Sequence, residues 1–326
     1  MIVLKATQDK LLSVLQSVSG IVERRHTLPV LANVLIRKTG KALQLTTSDL
    51  EIQIRTTAEM DGDAGDFTTT VGARKLIDIL RTMPSDQTVS LESSQSKLIL
   101  KGGKSKFTLQ TLPAEDFPLV QEAASFGPVF SVPQKTLKAL LGQVSFAMAV
   151  HDIRYYLNGI LFVAEGKQLS LVATDGHRLA LSHRQVAQTL PEKQVIVPRK
   201  GVVEMSRLLD SEDQDITISI GDNAIRAVTA NAVFTSKLVD GRFPDYRRVL
   251  PKGGNKIVIA SRNQLKQALT RASILSNEKF RGVRIQLEPG LLKITANNPE
   301  QEEAEEIIDV DYDSDNLEIG FNVSYL

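Results

Sequence analysis

The stretch Leu43-Gln44-Leu45-Thr46-Thr47-Ser48-Asp49 returns as Leu169-Ser170-Leu171-Val172-Ala173-Thr174-Asp175, an offset of 126 residues (169 − 43 = 126). Working outward, other landmarks keep that register. Gln8 and Gln134 each precede a Leu-rich helical stretch, Val71 and Val197 each lead a basic helical start, and Phe117-Pro118 matches Phe243-Pro244. A fainter third copy follows: Leu265 answers Leu137 (265 − 137 = 128), and Leu292-Lys293-Ile294-Thr295-Ala296-Asn297-Asn298 answers residues 169–175 (292 − 169 = 123). Solenoid repeats have periods of roughly 20 to 50 residues, so the repeating unit here is a whole domain.

A length of 326 residues allows two or three domains, and the repeat selects three. The absence of Cys removes disulfides, thiolate metal sites and Cys nucleophiles together. The N-terminus becomes charged too early for a signal peptide, and no apolar run reaches the ~18 residues of a membrane span; a cytoplasmic protein is expected. A net charge of +1 argues against an overall positive coat but allows one basic face balanced by an acidic one.

Each module reads as strand, helix, strands, helix, strands. Residues 8–19 put Leu11, Leu12, Val14, Leu15 and Val18 on one helical stripe, with Gly20 expected as a left-handed cap. Residues 72–83 form a second amphipathic helix stopped by Pro84. Runs such as Glu51-Ile52-Gln53-Ile54-Arg55 alternate with the period of a half-buried strand. The expected class is α+β, with both helices of a module on one face of its sheet. The expected modules are 1–125, 129–252 and 256–326, with linkers near 123–128 and 251–255. Phe321 to Leu326 align with Val197 to Val202, so the third copy is expected to stop inside its second helix.

Catalytic signals are sparse. His26, His151, His177 and His183 show no metal-binding spacing. Gly103-Lys104-Ser105 lacks the glycine that a phosphate loop needs at position 98, where Leu stands, and reads as a hairpin turn. Asp175 beside His177 is the best acid–base candidate, although Asp-Gly is more simply a turn and the matching Ser48-Asp49-Leu50-Glu51 has no histidine. No metal or cofactor is expected. Charge is more informative. Glu300, Glu302, Glu303, Glu305 and Glu306 make an acidic run, while Lys101, Lys104 and Lys106 make a basic edge, with Phe107 and Leu109 on the other side of the chain from Lys104 and Lys106. Such edges can join copies head to tail into a ring. Basic residues at repeated positions, including Arg74-Lys75, Lys138, Arg154, Arg199-Lys200, Arg207, Lys266 and Arg271, offer a face to phosphate backbone.

Long strings in all three modules carry a resemblance: Thr27-Leu28-Pro29-Val30-Leu31, Arg154-Tyr155-Tyr156-Leu157-Asn158-Gly159, Ala173-Thr174-Asp175-Gly176-His177-Arg178-Leu179, Lys237 to Val249 and Ala296 to Ala304. They resemble the bacterial DNA polymerase III β-subunit (sliding clamp) family. The resemblance implies a non-enzymatic processivity factor: a head-to-tail homodimeric ring of three-domain protomers around duplex DNA, held by sequence-independent contacts. It implies peptide-motif partners, namely the polymerase α subunit, the clamp-loader δ subunit, other polymerases and repair proteins.

Carried over by position, Arg25, His151, Arg154, Tyr155 and Tyr156 are expected to touch DNA. Leu157, Thr174, Gly176, His177, Arg178, Leu179, Pro244, Arg248 and Val249 are expected to line a peptide pocket. Lys104, Lys106, Phe107 and Leu109 are expected to face Ile274, Leu275, Glu300, Glu303 and Glu306 of another copy. The family's chain continues beyond the position of Leu326 to complete one pocket wall, which is expected to be missing here. A peptide-binding scaffold that forms no ring is the competing expectation, and an enzyme using Asp175 and His177 is the third.

Overall fold

The computed structural model describes residues 1–24, 27–63, 65–120, 126–209 and 214–326. The first module runs β1 (Ile2–Thr7), α1 (Gln8–Val18), β2 (Asn33–Thr39), β3 (Ala42–Ser48), β4 (Ile52–Glu59), β5 (Phe67–Gly72), α2 (Ala73–Arg81), β6 (Thr88–Ser94), β7 (Lys97–Gly102) and β8 (Ser105–Leu112). The second repeats it as β9 (Val129–Pro133), α3 (Gln134–Val144), β10 (Gly159–Glu165), β11 (Gln168–Thr174), β12 (Leu179–Gln185), β13 (Lys193–Pro198), α4 (Arg199–Leu208), β14 (Asp215–Ile220), β15 (Ala224–Val228) and β16 (Ala232–Lys237). After α5 (Tyr246–Val249), the third contains α6 (Arg262–Ile274), β17 (Gly282–Glu288), β18 (Leu291–Asn297), β19 (Glu303–Asp309) and β20 (Leu317–Asn322).

The repeat seen in the sequence is a repeat of elements to the residue. β2, β3, β5 and α1 start and end 126 positions before β10, β11, β13 and α3 (159 − 33, 168 − 42, 193 − 67 and 134 − 8). The register slips by one in the last hairpin: Leu98↔Leu109 corresponds to Ile225↔Ser236 (236 − 109 = 127).

The chain forms two compact units, Met1–Phe243 and Pro244–Leu326, each described by itself. In the first, one sheet of 12 strands runs β1-β6-β7-β8-β5-β2-β3-β4-β16-β15-β14-β9, beside a 4-stranded sheet β12-β11-β10-β13. The junction of the two modules is therefore backbone pairing. β4 lies antiparallel to β16, with Ile54 opposite Phe234 and Thr56 opposite Ala232. One apolar core, from Leu4 through Ile54 to Phe234, runs through both modules. The second unit has sheet order β19-β18-β17-β20 and its own core of Ala268, Ala272, Ile285, Ile294 and neighbours.

Helix faces follow spacing. Leu11, Leu15 and Val18 of α1 and Leu76, Ile77 and Leu80 of α2 turn inward at intervals of three and four. Ser261 caps α6 by accepting from the Gln264 amide at 3.4 Å. Gly20 corrects one expectation: it is not left-handed, because the chain leaves α1 through a 3₁₀ turn, Ser19–Ile21, that buries Ile21. Among the described residues no helix is long and apolar enough to cross a membrane.

Candidate functional site

One turn recurs in the first two modules, and a wider one holds its place in the third. After β11, the Thr174 hydroxyl accepts from the Gly176 amide (3.1 Å) and donates to the Arg178 carbonyl (2.7 Å). Asp175 Oδ1 accepts the amides of His177 and Arg178, each at 3.0 Å, and Arg178 Nε reaches Asp175 Oδ2 at 3.2 Å. Burial of Asp175 raises its pKa, but these backbone and guanidinium hydrogen bonds outweigh burial and leave it lowered. The carboxylate is thus an acceptor that shapes a turn. These contacts to main chain and to Arg178 give Asp175 a structural role in the turn.

In module one, Asp49 Oδ1 likewise accepts the amides of Glu51 (2.9 Å) and Ile52 (2.7 Å). In module three Asn298 Oδ1 accepts from Glu302 at 2.9 Å. The position that needs positive φ is Gly176 (+87°) in module two and Leu50 (+75°) in module one. A left-handed side chain costs roughly 1–2 kcal/mol. Leu50→Gly is therefore expected to raise stability by about 1 kcal/mol, read as a higher denaturant midpoint; an unchanged midpoint would show that the turn carries no strain.

Beside the module-two turn lies the loop 150–158. His151 (φ +53°) and Tyr155 are exposed, and Ile153 is 96% exposed. Tyr155 and Tyr156 meet edge to face at 5.7 Å, and Leu157 is buried beneath. Arg154 is among the residues expected to touch DNA. Its guanidinium grips both oxygens of Asp152, Nε to Oδ1 at 3.0 Å and Nη2 to Oδ2 at 2.8 Å, and Nη2 also donates to the Asp175 carbonyl at 3.2 Å. These bonds, the Arg154 side chain first and then its amide, lower the Asp152 pKa to about 2. Gly176 leaves room for this: a Cβ there would stand 2.8 and 2.9 Å from Arg154 Nη1 and Nη2. Arg178 spans to Phe146, donating to its carbonyl at 2.9 Å with the guanidinium 5.4 Å from the ring centre.

Arg154, Tyr155, Tyr156, Leu157, Thr174, Gly176, Arg178 and Leu179 thus belong to one surface of the first unit. Asp152, Asn158 and Phe146 belong with them and were missed by sequence reasoning; an Asp two residues before an Arg on a turn is the signal available for the first. Arg25 lies outside the described residues. Pro244, Arg248 and Val249 belong to the other unit, where Arg248 pairs with Asp245 at 3.0 Å and Val249 is 64% exposed.

The expected basic face is partly spent on internal pairing. Lys200 joins Asp49 and Glu23, Arg207 joins Glu204 at 2.7 Å, and Arg74 Nη2 donates to the Val22 carbonyl at 2.7 Å. Lys75, Lys135 and Lys266 remain exposed on helices. At the expected copy-to-copy edges, Lys104 and Lys106 are exposed, while Phe107 and Leu109 are half-buried against their own core. Ile274 is 73% exposed. Glu303 and Glu306, three residues apart on β19, stand on opposite faces, and Glu306 binds Arg271 at 2.6 and 2.9 Å, which lowers its pKa. No cluster of metal-binding side chains occurs among the described residues.

Family models for the DNA polymerase III beta subunit match the chain in three successive pieces: the N-terminal domain at residues 2–121, the central domain at 131–245 and the C-terminal domain at 247–326. A beta sliding clamp from Pseudomonas aeruginosa is 52% identical over 98% of this chain and 87% of its own length. One from Escherichia coli is 50% identical over the same shares. Among solved structures, a Pseudomonas aeruginosa sliding clamp bound to griselimycin has a TM-score of 0.95 and 51% identity, covering 99% of this chain and 87% of that one.

Proposed function

We propose, from the premise that this chain belongs to the DNA polymerase III β-subunit family of sliding clamps, that two copies close head to tail around duplex DNA and accept peptides at the Thr174–Leu179 surface. The observation that carries the ring is the β4·β16 junction. Among the described residues its counterparts elsewhere in the repeat are edges: β8 beyond its short contact with β5, and β19 beside β18 alone. Transferring the junction register requires two offsets. β16 follows β8 by 127, and β19 follows β4 by 250, since Leu43↔Ala58 corresponds to Leu292↔Ile308 (308 − 58 = 250).

Arg55↔Val233 then becomes Glu305↔Lys106, and Ile54↔Phe234 becomes Ala304↔Phe107. The apolar pair falls on the core side and the ion pair on the outer side. β12 is also an edge of the same kind, but it carries His183 and Arg184, so charge selects β19 as the partner of lysine-bearing β8. Exposed pairs of this type contribute only ~0–1 kcal/mol each, leaving Phe107, Leu109, Ile274 and Leu275 to supply most of the affinity. The module limits 1–125, 129–252 and 256–326 keep each edge within one module.

Within the ring, exposed helix lysines and the His151 loop give many weak, sequence-independent phosphate contacts, which suits sliding. The ring works without a catalytic site of its own, in keeping with the turn-forming use of Asp175. The test is topological. Protein loaded on closed circular DNA is expected to stay bound and to be lost when the circle is linearised, with a native mass twice 35.8 kDa. Equal retention on circles and on linear DNA with free ends would refute the ring.

A further inference from the structure

We infer that Asp152 is a positioning residue: acting through Arg154, it holds the Thr174–Leu179 turn in its ligand-accepting form and makes that turn responsive to polyanions at the 150–154 loop. The inference rests on the reading that this turn accepts peptides.

The connection is continuous and specific. Asn158 fixes Asp152 from both sides, its Oδ1 accepting the Asp152 amide at 3.0 Å and its Nδ2 donating to the Asp152 carbonyl at 2.9 Å. Asp152 Oδ1 accepts the Arg154 amide at 2.8 Å as well as Nε, so it sets both the main chain and the direction of the side chain. The guanidinium so aimed ends on the Asp175 carbonyl and lies across Gly176, where a side chain would collide with it. A carboxylate two residues away therefore determines what packs against the turn.

The same geometry makes the strut exchangeable. Asp152 and Arg154 sit at the surface, beside exposed His151 and Ile153. A phosphate diester offers a guanidinium the same two-oxygen face as a carboxylate. DNA backbone arriving at this loop competes with Asp152 for Arg154, and when Arg154 turns outward the turn loses both its carbonyl partner and the group covering Gly176. Other titratable groups near the strut are Tyr156, His177, and Asp175 and Arg178, the last two bound to each other within the turn.

The test uses the 326-residue protein with griselimycin as probe and a short duplex DNA as polyanion. In the wild type, saturating duplex is expected to weaken griselimycin binding about five-fold or more, the scale of ordinary coupling between sites. In Asp152→Asn, binding without DNA is expected to be weaker and its dependence on DNA abolished, while the melting temperature holds. Equal DNA dependence in both proteins overturns the inference, because simple overlap of the two ligands then accounts for it; so does no dependence in the wild type.

The Gly176 and His177 amide resonances separate this inference from the reading beneath it. They are expected to move when duplex is added to the wild type and to stay in Asp152→Asn, whether or not griselimycin binds. Loss of griselimycin binding with this pattern intact refutes only the peptide reading; unmoved resonances in the wild type overturn the strut.

Discussion

Phe234→Ala is expected to destabilise the Met1–Phe243 unit by about 3–5 kcal/mol, the cost of emptying a fully buried aromatic site. At this size the melting temperature falls on the order of 10 °C. Phe234 is 0% exposed and stands opposite Ile54 across the junction of the modules, inside the core they share. The loss is expected to be local as well as global. The Thr57 amide, donating to Asn231 O at 2.8 Å, and the Lys237 amide, donating to Glu51 O at 2.8 Å, close the two ends of that junction and are expected to exchange hydrogen faster. Phe130→Ala empties an equally buried site in β9, at the far edge of the same sheet, and is expected to lower stability without that focus. If both variants accelerate the same amides equally, the junction has no special dependence on Phe234.

Gly159→Ala is expected to cost about 3 kcal/mol, the upper range for overpacking a well-filled site. Gly159 opens β10 opposite Pro198, and a Cβ there would lie 2.3 Å from the Val197 carbonyl oxygen, a backbone atom that moves only with its strand. Displacement reaches Asn158, whose carbonyl accepts the Arg199 amide at 2.9 Å and whose side chain holds Asp152. Faster hydrogen exchange of the Asp152 and Arg154 amides is therefore expected alongside the lower melting temperature. Gly282 is the control. It holds the same place at the start of β17 (282 − 159 = 123) with no atom within 4 Å of its added Cβ, and Gly282→Ala is expected to be near neutral. A mild Gly159→Ala would show that β13 yields easily.

Much of the fold is legible because hydrophobic spacing and turn chemistry are local properties. The recurrence at 126 locates β3 and β11, α1 and α3, and the aspartate turns at 49 and 175, each built from residues within a few positions. The fusion of modules one and two is not legible, since β4 and β16 alternate in the same way whether their outer edges pair or stay open. Arg154 was readable as a cation but not as half of a pair, because its aim depends on Asp152 and on an absent side chain at Gly176. The opposite faces of Glu303 and Glu306 follow from strand parity alone.

The β4·β16 junction joins segments already linked by covalent chain, whereas in the proposed ring β8 and β19 of separate copies meet only by diffusion. Tethering gives such a contact an effective concentration in the millimolar range, so the internal junction can lose contact area over evolutionary time and still stay closed. The junction between copies has no such help, and at cellular concentration its strength decides how long the circle persists. The two seams of one design therefore have unequal margins: the covalent one keeps its tether when contacts are lost, and the other must hold by complementarity while remaining openable.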